Sequence, residues 1–163
     1  MTTNFCSHCF GLDVHSRGNF KSKKGCLEMG EKATLTEIEE IMKERVFEID
    51  KIAKFDPDKP QKNYFYETDK TVGAIWCLEP GQDVYVHSHS DVDDMWVCIE
   101  GEGTYYPDLE NEIPIKQGMV LLAKPNQIHG MRNTGTGRFM FVGFAAGTLP
   151  MDITKYENKW NCK

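Results

Sequence analysis

His87 and His89 are the residues best placed to do chemistry, standing two apart in the stretch GQDVYVHSHSDVDDMWVCIEG (81–101). The stretch alternates as a strand should, with Val84, Val86 and Ser88 on one face and Tyr85, His87 and His89 on the other. Imidazoles at this spacing have Cβ atoms about 7 Å apart, so both rings can converge on one ion. The acidic run Asp91-Val92-Asp93-Asp94 follows, and a carboxylate returning along the next strand could join them. An isolated H-x-H fits a wetted surface strand at least as well, so the metal reading needs ligands from elsewhere in the chain. A second segment, GMVLLAKPNQIHGMRN (118–133), carries His129 beyond an apolar strand and a Lys-Pro-Asn turn.

The other two of the five histidines, His8 and His15, lie in the N-terminal region with Cys6, Cys9 and Cys26. A C-x2-C knuckle places two thiolates on one tight turn, and His15 and Cys26 would complete a tetrahedral structural zinc site. Zinc ribbons supply a second spaced pair that is missing here, so a redox-active or inert cysteine pair fits at least as well.

Together the segments around His87 and His129 resemble the cupin superfamily. Its first motif, G-x5-H-x-H-x(3,4)-E-x6-G, is matched by Gly81, His87, His89, Asp94 and Gly101, with aspartate in place of glutamate. Its second, G-x5-P-x-G-x2-H-x3-N, is approximated by Gly118, Pro125, His129 and Asn133 with the last spacing intact, while the glycine of the P-x-G turn is replaced by Asn126 or Gln127. Asparagine tolerates a left-handed turn better than most residues. The resemblance implies a mainly β small cupin, a double-stranded β-helix or jelly-roll barrel. It also implies one divalent metal ion (Fe, Mn, Ni or Zn) held by His87, His89, Asp94 and His129. Asp94 is a methylene shorter than the usual ligand, so it is either a fourth ligand or a nearby general base. Asp93 competes for the role, because both spacings occur in the motif. Counting by alternation, Tyr85, Trp96, Cys98 and Met131 would wall a substrate pocket, and Arg132 points away from it.

The elements that must position these residues follow from periodicity. Residues 34–55 read as an amphipathic helix, with Thr34/Glu37 or Thr36/Glu39 as a capping box and Ile38, Ile41, Met42, Val46, Ile49, Ile52 and Ala53 on one stripe. Asp56-Pro57-Asp58-Lys59-Pro60 ends it. From Tyr64 to Ala145 short strands and turns alternate, the pattern of an antiparallel sandwich or barrel. The expected organisation is a cysteine-bearing arm plus helix (1–60), a cupin barrel (61–147) and a tail (148–163) that packs across the barrel or a neighbouring subunit.

At 163 residues with 40% hydrophobic composition, the chain has the size and apolar content of one domain. A net charge of −6 argues against a nucleic-acid partner. No apolar run reaches membrane-spanning length and no signal peptide is evident, so a cytoplasmic location and reduced cysteines are expected. The expected partners are a small-molecule substrate or ligand and, since cupins commonly pair through their barrel faces, a second copy in a homodimer. The resemblance supports an Fe(II) oxygenase-type enzyme. Alternatives are a non-catalytic ligand-binding or metal- and redox-sensing domain, and an oxygen-independent isomerase or lyase.

Overall fold

A computed structural model describes residues 34–157. Two short helices, α1 (Leu35–Arg45) and α2 (Ile49–Ile52), precede ten strands. These are β1 (Gln61–Glu67), β2 (Thr71–Leu78), β3 (Asp83–Ser88), β4 (Val92–Glu100), β5 (Glu102–Tyr106), β6 (Ile113–Lys116), β7 (Val120–Ala123), β8 (His129–Arg132), β9 (Phe139–Gly147) and β10 (Thr154–Lys155). They form two antiparallel five-stranded sheets, ordered β1-β2-β9-β4-β7 and β10-β3-β8-β5-β6. The expected jelly roll is therefore present as two facing sheets whose hydrogen bonding does not close into one barrel.

The main core lies between the sheets, where Leu78, Trp96, Cys98, Phe139 and Phe141 of the first meet Val84, Tyr105, Ile115 and Met131 of the second. β2 and β9 are apolar at consecutive positions because they are covered on both sides. Their outward-facing Ile75, Cys77, Met140 and Val142 form a second cluster, packed against Ile52, Ala53 and Phe55. Burial of this kind removes the hydrophobic/polar alternation that a one-sided strand would show.

The helix expected over 34–55 is interrupted. The Thr34–Glu37 capping box forms as anticipated, but Val46 turns extended (φ −118, ψ 119) and the chain restarts at α2. A β-branched residue followed by an aromatic one is a weak helix continuation. α1 buries none of its residues, and its stripe residues Ile38, Ile41 and Met42 stay exposed. Only the stripe's end, Ile52 and Ala53, lies over the sheet in the manner expected of the whole helix.

The motif glycines sit where only glycine is comfortable. Gly81, Gly101 and Gly118 all have positive φ, and a Cβ on Gly101 would come within 2.2 Å of the Arg138 carbonyl oxygen. Asn126 takes the left-handed position (φ 65) in the turn that lacks the family's glycine. Its backbone N–H donates to the His89 carbonyl at 2.7 Å, tying the turn before His129 to the end of the first histidine segment.

Candidate metal centre

β3 carries His87, the residue just beyond it is His89, and neighbouring β8 begins with His129. Asp94 reaches the same place from β4 in the opposite sheet. One ligand-type atom from each of the four lies within 4.8 Å of the others, so the group could hold a metal ion. The Asp94 Oδ2 atom is 3.4 Å from His129 Nε2 and 3.8 Å from His89 Nε2. Asp93 is exposed on the other face of β4. The shorter side chain of Asp94 therefore still reaches the imidazoles, and its strand neighbours Ala123 and Ala145 are small.

Each imidazole is held by a backbone carbonyl on its far side. Nδ1 of His87 bonds the Tyr85 carbonyl at 2.8 Å, Nδ1 of His129 the Gln127 carbonyl at 3.0 Å, and Nδ1 of His89 the Asp152 carbonyl at 2.5 Å. A carbonyl can only accept, so each Nδ1 carries a proton, and a ring in its neutral form presents its Nε2 lone pair to the centre. His129 Nε2 is buried without a hydrogen-bond partner, although the Asp94 Oδ2 atom is 3.4 Å away, since an imidazole lone pair and a carboxylate oxygen can both only accept. Leaving such an atom unsatisfied costs roughly 1–3 kcal/mol. A metal ion accepting that lone pair fits the residues present.

The charge states suit the same purpose. Burial pushes the His87 ring down to about 4, aided by the adjacent His129 and opposed by the Tyr85 carbonyl. Burial works to raise the Asp94 carboxyl, but His129 and His89 beside it prevail and hold it at about 2. At neutral pH the pair thus offers a neutral imidazole and an ionised carboxylate, the forms that ligate metals.

The centre borders a cavity of about 360 Å³. Tyr85 and Trp96, two of the four expected wall residues, line it, together with Trp76, Val84 and Lys62. Cys98 and Met131 belong instead to the core between the sheets. Burial pushes the Cys98 thiol up to about 11, so it remains protonated filler. The sequence reading missed the tail, whose Leu149, Pro150, Met151 and Ile153 form part of the cavity lining. The tail's lack of periodicity gave no signal for this role beyond its expected packing across the barrel. Cys6, Cys9, His15 and Cys26 lie outside the described residues.

Asp94→Ala is expected to weaken binding of a divalent metal by about 10- to 100-fold, whereas Asp93→Ala leaves it near wild type; competition titration against a chromophoric chelator measures both. Equal affinities for the two variants would remove Asp94 from the centre.

The cupin domain family model matches residues 74–143. An uncharacterized conserved protein with a double-stranded beta-helix domain from Klebsiella pneumoniae is 30% identical. The match covers 70% of this chain and 98% of that one, with a TM-score of 0.66. An RmlC-like cupin protein from Desulfovibrio desulfuricans is 26% identical over 58% of this chain and 88% of its own, at a TM-score of 0.53. An oxalate-binding protein of Thermotoga maritima is 31% identical over 65 residues, which are 40% of this chain and 53% of that relative. The chain thus spans about half the length of this curated relative. The Klebsiella match runs through nearly all of its counterpart, and the family match starts in β2 and ends in β9, taking in all four clustered side chains: this chain belongs to the cupin family.

Proposed function

We propose that this cupin is a metal-dependent enzyme of the Fe(II) oxygenase type acting on a small organic molecule. The observation that carries the reading is the convergence of three imidazoles and one carboxylate beside a cavity of small-molecule size. His87, His89, His129 and Asp94 would hold the ion. When bound, such a metal supplies Lewis-acid chemistry and, if redox-active, electron transfer. The carbonyls behind the imidazoles keep the ring orientations fixed through a reaction. Trp76, Trp96 and the apolar tail residues keep water from the substrate body. Lys62 places a cation at the cavity, with its ammonium 5.1 Å from the Tyr64 ring centre and 5.3 Å from that of Trp76.

The cavity Lys62 and the resemblance to an oxalate-binding protein also favour a second reading, a domain that binds a small organic acid without turning it over. Oxygen consumption by iron-loaded protein over a panel of small organic acids and aromatics separates the two. Substrate-dependent uptake is expected. Binding without turnover under any metal would leave the ligand-binding domain, and turnover without oxygen would make the protein an isomerase or lyase.

A further inference from the structure

We propose that the C-terminal segment 148–156 is a working part of the metal centre, with Asp152 as the residue that positions His89. The proposal rests on the metal-binding reading above. His87 and His129 each take their Nδ1 partner from the carbonyl two residues earlier in their own segment. His89 draws its partner from Asp152, 63 residues away. One of the three rings therefore depends on a segment that reaches the site from the end of the fold.

That segment is anchored on both sides of the contact. The Asp152 carboxylate accepts the Ser90 backbone N–H, at 3.0 Å to Oδ1 and 3.2 Å to Oδ2, so one residue holds His89 through its backbone carbonyl and the next residue through its side chain. Beyond it, β10 pairs with β3 through Thr154 with Ser88 and Lys155 with His87, the ligand itself. The Tyr156 N–H donates to the Val86 carbonyl at 3.0 Å, and its hydroxyl lies 3.1 Å from Ser88 Oγ. The Lys155 ammonium sits 4.2 Å from the centre of the Tyr85 ring. Before it, the Thr148 hydroxyl donates to the Asp91 carboxylate at 2.6 Å. Every one of these partners belongs to the stretch 85–91 that contains His87 and His89. The segment between the anchors contributes to the cavity lining, so seating the tail forms part of the pocket and selects the His89 tautomer in one event.

Asp152→Ala removes the grip on Ser90 and frees the carbonyl to drift from His89. The test uses the full-length chain and Co²⁺ as the probe. In the alanine variant the Co²⁺ dissociation constant is expected to rise about 10- to 100-fold. Asp152→Asn, which keeps an acceptor for the Ser90 N–H, should restore most of the loss. Long-range ¹H–¹⁵N correlation of the imidazoles in metal-free protein should show His89 changing from the Nδ1–H tautomer to a mixture, with His87 and His129 unaltered. A general loosening of the fold would move all three rings. Tyr156→Phe removes a second anchor without touching His89 and should shift affinity in the same direction by less; it decides the matter if Asp152→Ala fails to fold. Wild-type affinity and an unchanged His89 tautomer in the folded variants would overturn the role of the tail. Wild-type protein that takes up no Co²⁺ would instead overturn the metal reading.

Discussion

Replacing His87 and His129 together with alanine is expected to take the metal content of reconstituted protein from one ion per chain to background in elemental analysis. Two of the four proposed ligands disappear, and the remaining pair, His89 and Asp94, comes from opposite sheets with no third donor among the described residues to complete a face. The same change should erase metal-dependent stabilisation. An ion bound only by the folded chain, at about 100 times its dissociation constant, raises stability by about 2.7 kcal/mol, so the thermal shift on metal addition should be present in wild type and absent in the variant. The metal-free variant should still fold, because His129→Ala removes a buried nitrogen that has no partner, and that relief offsets part of the lost packing. Full metal retention would remove both residues from the centre.

Phe141→Ala should have the largest effect on stability, a loss of about 3–5 kcal/mol in chemical denaturation. The side chain is fully buried, and its ring lies 4.9 Å from that of Trp96, 5.6 Å from that of Phe139 and 6.1 Å from that of Trp76. Against the roughly 5–15 kcal/mol that holds an ordinary domain together, this is a large fraction. The damage should also reach the site, since Trp96 is 5.2 Å from the His129 ring on its other side. Met42→Ala on the exposed α1 is the control and should stay within about 0.5 kcal/mol of wild type. A Phe141 variant as stable as this control would mean that the core between the sheets is not where the fold's stability resides.

The fold and the four-residue cluster were legible because both are written in short-range spacing. His87 and His89 share a face by strand alternation, while Asp94 rather than Asp93 and a left-handed turn at Asn126 or Gln127 come from the spacing of the motifs that the chain resembles. What alternation does not encode is depth along a strand. Trp96 and Cys98 share the inward face of β4, yet the cavity lining includes Trp96, and Cys98 continues into the core. Met131 stands to His129 as Cys98 does to Trp96, two residues on and packed away from the cavity. Nor does a period of two survive an irregularity: the β3–β8 register shifts between Val84 and His87, and Val84 joins the core and the cavity lining although it was assigned to the face opposite the histidines. Asn133, the last residue of the second motif, donates to the Leu78 and Gly137 carbonyls and accepts the Gly135 N–H, closing the loop after β8. The interruption at Val46 and the docking of residues 148–156 are set by long-range packing, which no window of local sequence contains.

The separation between His89 and Asp152 also fixes an order in time. A ribosome adding about 5–20 residues per second needs roughly 3 to 13 s to cover those 63 residues. Throughout that interval His89 is already made, while the carbonyl that aims it is not. The ribosome thus finishes nine of the ten described strands before it makes the last imidazole's anchor, and all three rings can be fixed together only once Asp152 has been added.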